Sequence, residues 1–277
     1  MTMTTDTIVQ LPARKRLAVS SLFARSVADR TGLTLWIGIG IGLMSLMVAA
    51  MYTSFEETLL DFELGGAMEA FLFGSDIASP VGWITAEMYS MMVPMAIVAL
   101  AVIDGGRSFA GEEEDRSIGL LAANPISRTR IITDKVAGIA VHVVIASILM
   151  GFLLWVGVAA FSLDISAGNL AATHVHLILL GMMFGGGIVV ASAALARRVP
   201  AMLAVAGFAG VAFIIATFMP IFEGYENWAK VSPWYYFYGS NPLANGINWA
   251  DVGVMAGIST VLYAIGWFLY VKRDLPG

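Results

Sequence analysis

The 277-residue chain has no cysteine, which excludes disulfides, a thiolate nucleophile and cysteine-ligated metal or iron–sulfur centres. Lysine is scarce as well. A phosphate-cradling loop needs Gly-Lys-Ser/Thr, and none of Lys15, Lys135, Lys230 or Lys272 follows a glycine, so no ATP-hydrolysing site of that kind is expected. Histidine occurs three times, as His142, His174 and His176. The last two stand at i, i+2 and would diverge on a helix, and methionines at apolar helical positions read as core, so no metal centre is expected. Charged residues make up only 13 %, too few for a soluble globular surface, and a net charge of −5 gives no reason to expect nucleic acid as a partner. No nucleophile stands near a base at catalytic spacing, and no internal repeat suggests an inverted-repeat carrier.

What the chain has in abundance is apolar length. It is 58 % hydrophobic with a mean hydropathy of +0.82. Runs at Leu33–Tyr52, Trp83–Ile103, Val136–Phe161, Leu177–Ala196, Ala201–Met219 and Val252–Val271 each reach the ~20 residues a helix needs to cross a bilayer core. The expected fold is therefore all-α and polytopic, with six transmembrane helices. Fourteen of the fifteen Lys and Arg fall before the first span, in 104–135, at Arg197-Arg198 or at Lys272-Arg273, and these segments alternate onto one face. The positive-inside rule makes that face cytoplasmic, with both termini. The polar start has no apolar h-region, so no cleavable signal peptide is expected and the first span serves as the insertion signal. Residues 1–32 read as a cytoplasmic tail with a basic amphipathic helix on the membrane surface, or as a basic tail that only orients the first span. Residues 33–277 form the six-span domain.

The long polar stretch is Asp104 to Lys135. Ser108 is expected to cap a helix whose first turn holds Glu112, Glu113 and Glu114, because carboxylates complement a helix N-terminus. Leu120 and Leu121 add an apolar patch. Asn124 before Pro125 stops that helix, and Ser127 caps the next. A short amphipathic helix on a membrane face makes a handle for a soluble partner. On the opposite side, 53–82 is acidic with interleaved apolar residues, which suits an amphipathic segment at the interface. Residues 221–250 carry Trp228, Trp234, Tyr235, Tyr236, Phe237, Tyr238 and Trp249, an aromatic mix that suits headgroup depth.

Ala110, Gly111, Glu112, Leu120, Leu121, Pro125, Ser127, Arg128 and Lys135 fall at the spacing A-G-E-E … L-L … P-x-S-R … K. That pattern resembles the segment between the second and third spans of ABC-2 type transporter permeases. Ser232-Pro233-Trp234-Tyr235-Tyr236, Asn241-Pro242-Leu243 and Asn245-Gly246 resemble the family's outer segment before its last span, and Lys272-Arg273-Asp274-Leu275 resembles its closing R-R-D-L. The resemblance spans about Leu33 to Leu275. Asp115 and Gly119 depart from it, standing where the family often has a basic residue and a polar or acidic one.

The resemblance implies an ABC-2 (type V) exporter-like fold with a cytoplasmic coupling helix between spans two and three. It implies a permease subunit of a prokaryotic cell membrane, paired with a second permease copy in a homodimer or heterodimer and with two copies of an ABC ATPase. ATP and Mg would sit on those partners, with no cofactor in this chain. The docking seat would comprise Glu112, Glu113, Glu114, Leu120, Leu121, Pro125, Arg128 and Lys135. The outer segment would hold half-inserted helices capping the path, where composition alone fits an aromatic belt equally well.

Inside the spans, Glu87 either faces a water-filled path or reaches the interface. Pro94 removes a backbone hydrogen bond and should bend the second span. His142 reads as an interhelical hydrogen-bonding residue or a proton relay. With Tyr235 and Tyr236, these residues are the expected lining of the path or its gate. An apolar, aromatic-rimmed path favours a hydrophobic or amphipathic cargo such as a drug, antibiotic or lipid. Two other classes fit the same residues: a nucleotide-independent ion or proton-coupled carrier, and a membrane anchor that only recruits a partner. Small-xxx-small pairs at Gly38/Gly42, Gly181/Gly185 and Gly253/Gly257 are expected to allow close helix packing.

Overall fold

The computed structural model describes residues 22–59, 76–114 and 127–272. Six of its helices are long and apolar enough to cross a membrane, and no strand occurs among the described residues. A short helix α1 (Leu22–Ala28) leads into α2 (Thr31–Leu59), the first span. The second span is built in pieces: α3 (Pro80–Ile84), a π turn at Thr85–Tyr89, α4 (Met92–Gly106), a second π turn at Arg107–Gly111 and a final turn at Glu112–Glu114. Then come α5 (Arg128–Ala160), α6 (Ala167–Leu195) and α7 (Arg198–Phe218). Two short helices, α8 (Pro233–Tyr238) and α9 (Pro242–Asn245), precede the last span, α10 (Trp249–Lys272). Because the long helices are apolar on every side, they suit lipid outside and each other inside.

All six expected spans are present, with different ends. The second does not stop at Ile103 but continues as helix to Glu114. Asp104 therefore lies inside a span, where its carboxylate has partners and needs no water. Ser108 does not cap a helix either: its hydroxyl donates to Asp104 Oδ1 at 3.4 Å, one turn back in an unbroken helical segment. Ser127 does cap α5, accepting from the Arg130 N–H at 3.3 Å.

α6 is the hub, packing against α4, α5, α7 and α10, while α2 lies along α5. Close approach of α2 and α5 rests on Gly38 and Gly42. A Cβ at Gly42 would stand 2.6 Å from Leu153 Cδ1, and one at Gly38 2.9 Å from Leu149 Cδ1. Gly181 and Gly185 likewise meet Val143 and Tyr263, whereas Gly253 and Gly257 face open space.

Candidate transport site and its anchors

Two polar clusters interrupt the apolar bundle. One lies at the face that carries the arginines, here the basic face. Asp104, its side chain 2 % exposed, meets Arg30 Nε through Oδ1 at 3.0 Å and His142 Nδ1 through Oδ2 at 2.6 Å. His142 Nε2 lies 3.1 Å from the carbonyl oxygen of Val27, in the last turn of α1. This pairing turns Arg30 inward. Arg25 stays exposed and pairs with Asp29 at 3.8 Å. Beside this cluster Lys135, 2 % exposed, pairs with Glu112 at 3.1 Å, donates to the Ser108 carbonyl at 2.6 Å and stands over the Phe109 ring. Burying a lysine this far requires such partners, since an isolated buried ammonium costs several kcal/mol.

The remaining residues of the expected docking seat divide. Glu114 accepts from the Arg198 N–H at 2.9 Å, which caps the first turn of α7 where no side chain of the N-cap residue does so. Arg128 donates to the Val271 carbonyl at 3.4 Å, at the end of α10. Leu120, Leu121 and Pro125 lie outside the described residues, as does the side chain of Glu113. The segment joining spans two and three is thus bonded to the ends of the fifth and sixth.

At the opposite face the second span is broken. Ser90 N–H donates to Thr85 O at 2.7 Å, closing a π turn, and Met91 (φ −146°, ψ −49°) leaves the helix before α4 starts. Pro94 then falls in the first turn of α4, where a missing N–H costs little. In a continuous helix the Ser90 carbonyl would take the N–H of residue 94, and proline has none. Tyr238 from α8 donates its hydroxyl to that carbonyl instead. The break is thereby tied to the outer segment.

That segment is not a simple belt. Trp234 is fully buried; its indole donates to Ala209 O at 3.0 Å and its ring packs against Phe184, Phe213 and Tyr238. Ser232 caps α8 through Trp234 N–H and donates to Ala212 O at 2.7 Å. Contacts six and nine residues inside the end of α7 place α8 within the bundle, its polar groups met by protein. Asn241, at φ +44°, takes a left-handed conformation that Asn tolerates, and it caps α9. Asn169 of α6 holds the far end of α9 through the Leu243 and Ala244 carbonyls. Trp228 and Trp249 remain exposed, as a belt requires.

A second histidine sits below this helix. His174 is buried among spans two, three and four, with Nε2 2.8 Å from the Tyr89 hydroxyl and Nδ1 2.9 Å from Ser147 Oγ. Its ring fits against Gly151, where a Cβ would stand 2.8 Å from it. His176 bonds the Ala172 carbonyl one turn back at 2.9 Å. Among the described residues no three His, Asp or Glu side chains are grouped as a metal site.

Two openings lie beside these clusters. One of about 450 Å³ sits between α6, α7, α10 and the outer segment. Phe184, Phe208, Val190 and Leu262 line it, with Tyr236 and Lys230 toward the outer segment. Its size is that of a small-molecule site. The other, about 320 Å³, runs between α4 and α7 along Met95, Val98, Val102, Leu203 and Ala206. Of the expected path residues, Tyr236 borders the first opening, Tyr235 is half-buried beside it, and Pro94 and His142 are buried in the bundle. Glu87 points outward from the π turn, exposed between buried Ala86 and Met88. Sequence reading did not find Asp104, Arg30, Tyr89, Ser147 or Tyr238. An acid, a histidine or a serine at an apolar position is a signal, but its partner is not.

A search among curated proteins gives no match. Residues 23–275 match the ABC-2 family transporter protein family, nearly the whole of the chain. The six-span, multi-pass membrane chain belongs to the ABC-2 family of transporter proteins.

Proposed function

We propose that the chain is the permease subunit of an ATP-driven ABC-2 exporter in a prokaryotic cell membrane, with the basic face cytoplasmic. Two permease copies, identical or not, surround the path, and two ABC ATPase subunits bind the segment 104–135. The observation that carries this reading is the bonding of that segment. Lys135 and Glu112 join the second and third spans, Glu114 holds the start of the fifth, and Arg128 holds the end of the sixth. A displacement imposed there by an ATPase reaches four spans at once, and α8 closes the other end. In this reading Glu112 and Glu114 fix the segment to the bundle, and Leu120, Leu121 and Pro125 are the part offered to the partner. The apolar opening of about 450 Å³ supports a hydrophobic or amphipathic cargo.

The test is co-purification of an ATPase encoded beside this chain, with cargo-stimulated hydrolysis measured in lipid. A large apolar anchor at an interface is worth ~2 kcal/mol or more, against under ~1 kcal/mol for an exposed charge pair. Leu120→Asp should therefore abolish co-purification while Glu113→Gln retains it. Retention of both association and stimulation by Leu120→Asp would remove the docking assignment. Orientation is checked with single cysteines: Ser54→Cys should label on intact cells with an impermeant maleimide and Ser127→Cys should not.

A further inference from the structure

All three histidines are buried, and His142 and His174 differ in what their two nitrogens meet. His174 faces two hydroxyls, each of which can donate or accept, so a neutral ring with either tautomer satisfies both contacts. His142 faces two acceptors. Its Nδ1 lies 2.6 Å from a carboxylate oxygen of Asp104 and its Nε2 3.1 Å from the Val27 carbonyl oxygen, and neither oxygen can donate a hydrogen bond while Asp104 is ionised beside Arg30. A neutral imidazole has one N–H. It would set a lone pair against one of these oxygens. Both contacts are attractive only if both nitrogens carry protons.

We propose that His142 is a proton-binding site that latches α1 to the bundle: doubly protonated His142 clamps the end of α1 against Asp104, and loss of the Nε2 proton frees it. Val27 sits in the last turn of α1, where a cation is favoured. Its carbonyl oxygen also accepts the Thr31 hydroxyl at 2.8 Å and the Arg30 N–H at 3.4 Å.

The charges around His142 come from several elements. α4 contributes Asp104, and the start of α2 contributes Arg30, which offsets part of the carboxylate's charge. α1 contributes Arg25 and Asp29, exposed and paired with each other. α5 itself contributes Lys135, held by Glu112, and Asp134, held by Arg130 at 3.2 Å. α6 meets this stretch of α5 with Gly181 and Gly185, which touch Val143 and Ile139. α10 contributes Tyr263, whose hydroxyl packs on Gly185. The carboxylate is the group that makes a second buried cation tolerable, and the 2.6 Å contact gives it to His142.

Deprotonation removes the His142 tie to α1 and leaves the Arg30–Asp104 pair beyond its end. α1 then loosens at its C-terminal turn. The packing of Ser26 on Gly138, where a Cβ would come within 2.5 Å of the serine oxygen, loosens with it.

The cysteine-free chain and its three histidines make the test direct. Full-length protein in lipid vesicles, with ¹⁵N-labelled histidine, is titrated between about pH 5 and 9, and His142→Gln identifies the signal. In parallel, a spin label on Ala28→Cys, an exposed position of α1, reports mobility. The expected result is a His142 ring protonated at both nitrogens at the acidic end, a single transition on raising the pH, and a gain in label mobility over the same interval. His142→Gln should be mobile and pH-independent, and Asp104→Asn should move the transition to lower pH. A His142 that stays neutral throughout, one that stays doubly protonated throughout while α1 mobility changes, or one that titrates without any change in α1 would each overturn the proposal. The native-chain titration decides even if a variant does not fold, and none of these readouts depends on an ATPase or a cargo.

Discussion

The basic-face cluster and the outer segment solve one problem in opposite ways. Each places polar groups inside an apolar bundle. At the basic face Arg30 pairs with Asp104, and Asp104 with His142, a set that draws α1 and spans two and three together. Around α8 the groups are carbonyls, hydroxyls and an indole, and one broken helix supplies the acceptor that another short helix needs. The charged solution resists rearrangement, because parting Arg30 from Asp104 leaves a largely buried ion unpaired. The neutral solution is cheaper to break and reform.

The comparison is broken most severely at Asp104. Asp104→Leu leaves Arg30 and His142 buried without their counter-ion, and losses of about 3–5 kcal/mol are typical of such a cut. Thermal unfolding of the purified protein should show this, whereas Asp104→Leu combined with Arg30→Leu and His142→Leu should recover much of the loss. If the single variant unfolds like the native chain, the cluster is not an obligate set.

The neutral end should yield less, and through a specific partner. Tyr238→Phe orphans the Ser90 carbonyl at a cost of about 1–3 kcal/mol. In a Pro94→Ala background the restored N–H at 94 can take that carbonyl, so the same substitution should cost much less, a coupling of about 0.5–3 kcal/mol in a double-mutant cycle. Additive losses would mean that Tyr238 does not substitute for the missing proline donor.

The sequence told these two regions apart poorly. Apolar run length located all six spans, and Ser127 was legible as a helix start because its cap is local. Asp104 was not, since a carboxylate after an apolar run looks like a loop and its partner His142 is 38 residues away. The span consequently ran eleven residues past its expected end. Pro94 announced a break, but not that Tyr238, 148 residues from the Ser90 carbonyl, would mend it. Composition could suggest an aromatic belt and could not sort buried Trp234 from exposed Trp228, because sorting them takes the carbonyls of α7. Local chemistry is written in neighbouring residues. Buried pairing is written in two places at once.

Between the two clusters, Ser147→Ala is the milder cut. It removes one of the two hydroxyls on the His174 ring while Tyr89 remains, and a net loss of about 1 kcal/mol is expected. Unfolding should also stay independent of the α1 label, because His174 has no tie to the basic face. A loss as large as that of Asp104→Leu would mean that the outer cluster is held by charge as well.

Glu87 is the smallest expected effect on stability and the sharpest test of where the comparison ends. It stands on the π turn of the second span, close in sequence to the break that Tyr238 ties, yet its carboxylate is exposed and makes no ion pair or hydrogen bond among the described residues. A charge inside a span with no internal partner stabilises nothing in this subunit, so Glu87→Gln should leave the unfolding of the isolated subunit within about 0.5 kcal/mol. The outward direction matters for a different reason. Charged side chains at membrane depth face water or protein rather than lipid, and the exposed side of this turn is a surface the subunit itself does not cover. If a second permease copy or a water-filled path lies there, Glu87→Gln should change transport or its dependence on pH while thermal unfolding stays at the native value. Unchanged transport between about pH 5 and 8, with unchanged unfolding, would place Glu87 at the interface with the headgroups and take it out of the path.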